Sequence, residues 1–320
     1  MRTIDWVDGA VELIDQTALP GQERMLRITA VDDLIAAIRS LAVRGAPALG
    51  VAGAFGVALA ARQFATDPAG LADAVQRLEA ARPTAVNLAR GARRVAALLP
   101  RGPEAVLAEA CAVRDEEIAA SAAMAGRGAD LMVALCGERP RLLTHCNTGA
   151  LAAVTGGTAL GVVGELHRRG ALAGVIASET RPLLQGARLT AWELAELGAA
   201  FRVAVDSAGP FLMARGEVDA VIVGADRICA NGDVVNKIGT YAHALGAHRA
   251  GLPFVVVAPE STVDTDTPDG GAVAIEDRGA AEVTAFSDAV NPAFDVTPHD
   301  LVTAIVTDRR VIRLDRGERV

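Results

Sequence analysis

An α/β fold, a mainly helical region followed by an open parallel sheet, is predicted by three features of this 320-residue sequence. The first part, to about Leu135, carries apolar residues at helical spacing. From about Arg141 onward, short apolar runs alternate with helical stretches, and such alternation calls for right-handed crossovers between parallel strands. Hydrophobic residues make up 51% of the chain but aromatics only 3%; the rest is mostly Ala, Val and Leu, which suits packed helices and buried strands.

In chain order, Asp32 to Arg44 places Leu34, Ile35, Ile38, Leu41 and Ala42 on one helical face. Ala48 to Ala65 is an Ala-rich helix that reads as buried, and Leu71 to Ala81, Ala85 to Leu99 and Glu104 to Asp130 continue the pattern. Pro47, Pro83, Pro100 and Pro103 stand where these helices begin or end. Strands are expected at Arg141–Thr144, Gly174–Ala177, Phe201–Val205, Ala220–Val223, Phe254–Ala258 and Val311–Leu314. The length exceeds one average domain, so the chain divides into residues 1–135, mainly helical, and 136–320, an α/β region.

A net charge of -8 argues against a nucleic-acid partner, which needs clustered cations. No uninterrupted apolar stretch of about 18 residues occurs, and Met1 to Gly9 lacks the charge and hydropathy of a leader, so a cytoplasmic protein with no membrane partner is expected. Cys111, Cys136, Cys146 and Cys229 form no C-x-x-C pair, so neither a disulfide framework nor a zinc site is expected. Gly156-Gly-Thr-Ala-Leu-Gly161 departs from the dinucleotide fingerprint, no P-loop occurs, and His243 and His248 are badly spaced for a metal. A reaction without metal or cofactor is therefore favoured.

Polar residues gather just beyond the expected strands: Thr144-His-Cys-Asn147, Ser178-Glu-Thr-Arg181, Asp206-Ser207, Gly224-Ala-Asp-Arg227 and Pro259-Glu-Ser-Thr262. Open parallel sheets bind ligands outside the carboxyl ends of their strands, so these tips mark the candidate site. Cys146 falls between a strand and a helix expected from Ala150, where a helix dipole favours the thiolate as base or nucleophile; a buried small side chain is the other reading. Asp226 follows the apolar run Val221–Ala225, a setting that would desolvate its carboxyl and keep it protonated for acid catalysis; a structural cap is the other reading. Asp233, in the turn Ala230-Asn-Gly-Asp233, reads as structural, and His145 as a packed or exposed histidine rather than an acid-base group. Thirty arginines accompany a single lysine, Lys237, which is either a chosen compact ammonium or an accident of an exposed loop. Arg44-Gly-Ala-Pro47 combines a guanidinium with close backbone amides, a combination suited to phosphate; a solvated surface arginine is the other reading.

Taken in order, Arg44-Gly-Ala-Pro-Ala48, Arg82-Pro-Thr-Ala-Val-Asn-Leu88, Thr144-His-Cys-Asn-Thr-Gly149, the run Ser178 to Leu194, Gly224-Ala-Asp-Arg227, Asn236-Lys-Ile-Gly239 and Asn291-Pro-Ala-Phe-Asp295 resemble the methylthioribose-1-phosphate isomerase family. The resemblance implies a helical N-terminal domain, a Rossmann-like C-terminal domain, a homodimer, and conversion of 5-methylthioribose 1-phosphate to 5-methylthioribulose 1-phosphate in methionine salvage. It implies Asp226 as catalytic acid, Cys146 as the essential thiol, and Arg44, Gly45, Ala46, Arg82, Gln185, Asn236 and Lys237 as substrate-binding residues. Relatives of this kind isomerise 5-deoxyribose 1-phosphate or ribose 1,5-bisphosphate with the same pair, and the same fold serves non-catalytic regulatory subunits of the exchange factor for translation initiation factor two. Retention of Cys146, Asp226 and Lys237 together favours the enzyme.

Overall fold

The computed structural model describes residues 2–83 and 85–320, so Thr84 of the Arg82-Pro-Thr run and Met1 of the N-terminal run lie outside the described residues. The chain forms two compact units, residues 1–119 with 150–157, and residues 120–149 with 158–320.

The first unit opens with an antiparallel sheet that the helical reading of this region did not anticipate: β1 (Ile4–Val7), β2 (Ala10–Ile14) and β3 (Met25–Ile28), paired in that order. Asp8 and Gly9 both have positive φ, 46° and 82°, and close the first hairpin with the right-handed twist that two-residue turns favour. Helix α1 (Val31–Arg39) buries Val31, Leu34, Ile35 and Ile38 and carries Asp32 and Asp33 in its first turn, where they complement the dipole. It ends before the expected Arg44 because the backbone turns at Leu41, φ 65°.

Helix α2 (Ala46–Gln63) is buried on every side from Pro47 to Ala61, as its small and apolar residues dictate. Helices α3 (Pro68–Glu79) and α4 (Val86–Ala96) follow, and α4 packs on α2 so closely that a Cβ added at Gly53 would lie 2.3 Å from the Leu88 carbonyl oxygen. Helix α5 (Pro103–Cys136) has an apolar second half long enough to cross a membrane by composition alone. There it buries Met124, Ala129 and Met132 in the core of the second unit.

In that second unit the strands are β4 (Arg141–Thr144), β5 (Gly174–Ser178), β6 (Phe201–Ala204) and β7 (Ala220–Val223), with α6 (Ala159–Arg168), α7 (Ala191–Leu197) and α8 (Ala208–Ala214) between them. A hairpin, β8 (Arg227–Cys229) and β9 (Val234–Lys237), turns through Asn231-Gly232 as expected; then come α9 (Thr240–Ala250) and β10 (Phe254–Val257). Last are β11 (Val263–Asp264), β12 (Phe294–Thr297), β13 (Ala304–Val306) and β14 (Val311–Ile312).

The main sheet has the order β14-β13-β10-β7-β4-β5-β6, parallel except for β14, which turns back on β13. Strands β4, β7 and β10 are wholly apolar or buried along most of their length, as strands covered on both faces must be. The chain order reverses between β4 and β7, which makes that pair the switch point of the sheet. A second sheet, β11-β8-β9-β12, was not expected from the sequence and carries Asn236 and Lys237 on β9.

Candidate active site

In the first unit, Gly45 stands at the N-terminus of α2 with φ 94°, and Ala46 begins the helix. The exposed amides of such a helix end and its dipole attract anions. The Arg44 guanidinium is held by Gln16, whose Oε1 accepts from Arg44 Nε at 3.2 Å, and Gln16 Nε2 donates to the Leu151 carbonyl at 2.7 Å. Arg82 is half-buried just before α4. A Cβ at Gly45 would lie 2.4 Å from the Ala152 carbonyl oxygen, a backbone atom. Gly45→Ala therefore combines a positive φ with a clash that no side-chain rotation relieves, and it lowers stability by about 1–3 kcal/mol, read as a drop in the denaturation midpoint.

In the second unit, the residues gather at the carboxyl ends of the switch-point strands. Cys146 follows β4 and is 8% exposed, with φ 63°, a left-handed backbone that costs an ordinary side chain about 1–2 kcal/mol. The helix expected from Ala150 is instead a three-residue turn, Ala150–Ala152, and α6 begins only at Ala159. The residues that follow, Thr155-Gly-Gly-Thr158, with positive φ at both glycines, delay the helix, so the dipole argument for the thiol does not apply.

Asp226 lies between β7 and β8, its N–H donating to the Val235 carbonyl at 2.9 Å. It is exposed. The desolvated setting expected from the preceding apolar strand is not found at Asp226: β7 ends at Val223, and burial falls away through Gly224, buried, and Ala225, half-buried, to the exposed Asp226.

Gln185 is 7% exposed, and its Oε1 has no protein partner among the described residues, a costly state for a buried amide and a common one for a ligand-facing group. It immediately precedes a π-helical segment, Gly186–Thr190, a distortion that recurs at functional sites. Asn236 is buried at 4% exposure and donates to Thr240 Oγ1 at 2.9 Å. Lys237 is half-buried on a strand rather than on an exposed loop. Its Nζ donates to the Ala293 carbonyl at 2.7 Å and sits 4.7 Å above the Phe294 ring. Asp233 is structural: it accepts from the Gly270 and His299 amides.

Several neighbours have partners that the sequence did not assign to them. His145 is fully buried and bonds the Ile238 carbonyl through Nε2 at 2.7 Å, tying the cysteine loop to the Asn236-Lys237 strand; burial pushes its pKa down, so it is held as neutral imidazole. His243, 5.0 Å from it ring to ring, is pushed down to about 3 by burial and by His145. Asp206, beyond β6, is partly buried, which acts to raise its pKa, but Ser178 and the Arg181 and Thr180 amides outweigh that and hold it below the usual range. The polar strand tips Ser178-Glu-Thr-Arg181 and Asp206-Ser207 contained these residues, but nothing in the sequence assigned Thr180 or Asp206 to Cys146. Among the described residues no three His, Cys, Asp or Glu side chains gather as a metal site.

The model of the initiation factor 2 subunit family matches residues 42–313. A relative from Nocardia farcinica, named "Probable bifunctional methylthioribose-1-phosphate isomerase/methylthioribulose-1-phosphate dehydratase", is 52% identical over 98% of this chain, which spans 60% of that relative's length. A methylthioribose-1-phosphate isomerase of Anaeromyxobacter sp. (strain Fw109-5) is 52% identical over 98% of this chain and 95% of its own. A protein of Moorella thermoacetica named 5-deoxyribose 1-phosphate isomerase is 46% identical over 97% of this chain and 93% of its own. Among solved structures, 5-methylthioribose 1-phosphate isomerase from Pyrococcus horikoshii superposes with a TM-score of 0.90 at 39% identity, covering 98% of this chain and 92% of that one. The chain therefore belongs to the initiation factor 2 subunit family, with the methylthioribose-1-phosphate isomerases.

Proposed function

We propose that this chain is an aldose–ketose isomerase that converts 5-methylthioribose 1-phosphate to 5-methylthioribulose 1-phosphate, a step of methionine salvage. The observation that carries the reading is the placement of Cys146 and Asp226 beyond β4 and β7, the two neighbouring strands at which the sheet reverses its order. The relatives' shared name supplies the substrate. The dehydratase half of the Nocardia relative's name is not carried over, since the chain spans only 60% of that protein.

The chemistry sets what the residues must do. A phosphate on the anomeric oxygen prevents the ring from opening spontaneously, so an acid must protonate the ring oxygen as its bond to carbon one breaks. Asp226 donates that proton. Because it is exposed in the chain, displacing water from it falls to the substrate. Cys146 then assists movement of hydrogen from carbon two to carbon one, as a proton through an enolate or as a hydride; by either route the carbon-two hydroxyl gives up its proton to the Asp226 carboxylate as the ketone forms, which restores the acid. Arg44, Gly45, Ala46, Arg82 and Lys237 hold the phosphate, and Gln185 and Asn236 the hydroxyls. Neither role calls for a metal or a redox cofactor.

Lys237→Ala removes a cation from phosphate binding, so KM rises about tenfold or more while kcat changes little. An unchanged KM and kcat would remove Lys237 from the site. The reading also places the enzyme in the cytoplasm as a homodimer; the exposed Phe211, Tyr241 and Leu245 on α8 and α9 are apolar surface that a second copy would cover.

A second reading is favoured by the Moorella relative's name: the same chemistry on 5-deoxyribose 1-phosphate. Incubating the purified protein, without added cofactor, with 5-methylthioribose 1-phosphate, 5-deoxyribose 1-phosphate and ribose 1,5-bisphosphate separates the readings by proton NMR of the ketose. Preference for the methylthio sugar supports the salvage enzyme, and preference for another moves the pathway. No turnover of any revives the regulatory-subunit reading.

A further inference from the structure

We propose that Thr180 and Thr190 are positioning residues that hold Cys146 in its left-handed backbone by clamping the peptide groups on both sides of it. The inference rests on the reading of Cys146 as the essential thiol. Thr180 Oγ1 accepts from the Cys146 N–H at 2.9 Å, and Thr190 Oγ1 donates to the Cys146 carbonyl at 2.7 Å. The two hydroxyls come from different parts of the unit, one just after β5 and the other from the last residue of the π-helical segment.

Proton counting fixes the sense of each bond, since a threonine hydroxyl has one proton to give. Thr180 gives its proton to the Ser178 carbonyl at 3.0 Å, which leaves a lone pair for the Cys146 amide. Thr190 gives its proton to Cys146 and accepts from Asn147 Nδ2 at 3.2 Å, and Asn147 is in turn held by Glu193 Oε1 at 2.7 Å. Neither hydroxyl can reverse without breaking a second buried bond. Both threonines are buried, so no solvent competes for these groups.

Thr180 is itself at φ 66°, and its N–H donates to Asp206 Oδ1 at 2.7 Å. One left-handed residue thus braces another, and a carboxylate anchors the brace. A cysteine has no intrinsic reason to adopt φ 63°, so the conformation persists only while its surroundings over-determine it. Removing one hydroxyl lets the loop relax and swings the sulfur away from the position it holds now. Displacements of about 1 Å at a reacting group can cost about 10²-fold in rate.

The test compares Thr180→Val and Thr190→Val, which keep shape and lose the hydroxyl, with Thr180→Ser and Thr190→Ser, which keep it. Steady-state kinetics on the sugar phosphate are measured beside circular dichroism and Cys146→Ser. The valine variants lose about 10²-fold in kcat with KM within about twofold. The serine variants recover most of that loss, and the double valine variant is less than additive because both bonds hold one residue. Should one valine variant not fold, the other carries the same comparison. A folded valine variant at the parent kcat, or a serine variant as poor as its valine counterpart, overturns the clamp. If Cys146→Ser turns over at the parent rate, the reading of the thiol itself fails and the clamp falls with it.

Discussion

Cys146→Ser lowers kcat by about 10³-fold while the folded content and the thermal midpoint stay near those of the parent. The substitution exchanges one small side chain for another at a buried position, so packing changes little. What changes is the chemistry: a serine hydroxyl ionises far less readily than a thiol near neutral pH, so almost none of it is present as the anionic base, and it offers no polarizable sulfur. The loss appears in kcat and kcat/KM alike, because the thiol is asked to act only in the transition state. Turnover at the parent rate would remove Cys146 from the chemistry and leave its unusual backbone without a function.

Asp226→Asn has an effect of comparable size, about 10²- to 10⁴-fold in kcat, for a different reason. The amide matches the carboxyl in shape and still donates a hydrogen bond, but it has no proton to release to the leaving ring oxygen. Because Asp226 is exposed, the substitution leaves the core untouched, and stability changes by no more than about 0.5 kcal/mol. The clearest signature is in the pH dependence: the limb of the kcat/KM profile that reports the acid disappears in the variant. A profile with both limbs intact and an unaltered kcat would assign the acid elsewhere.

The main sheet was legible because its central strands are continuous apolar runs bounded by glycine and polar residues, and Arg141–Thr144 and Ala220–Val223 fall where the sequence puts them. The long helices were legible for the complementary reason, a sustained 3.6-residue period or an unbroken small-residue run. The N-terminal sheet was missed because its strands span four or five residues each, too few to establish alternation. Its one strong signal, Asp8-Gly9 between Trp6-Val7 and Val11, is a hairpin turn that helical periodicity further on obscured. Strands β11 and β12 are short and join the β8–β9 hairpin across long intervals, and no local pattern announces such pairing. At the site, residue types and strand tips could be read from the chain. The exposure of Asp226, the absence of a helix at Ala150 and the hydroxyl bonds to Cys146 could not, since each depends on backbone direction.

The adjacency of β4 and β7 also has a consequence for how the enzyme comes into being. Arg141, at the start of β4, donates its amide N–H to Asp219, 78 residues further along, and the two strands pair from there. A chain emerging from the ribosome can lay β5 and β6 beside β4, but the other edge of β4 stays bare until β7 has been synthesised. This long-range closure carries a loop entropy that nearest-neighbour pairing does not, so it belongs among the late, slow steps of assembly. Cys146 and Asp226 follow these two strands, so a chain that stops short of β7 carries the proposed thiol without the proposed acid.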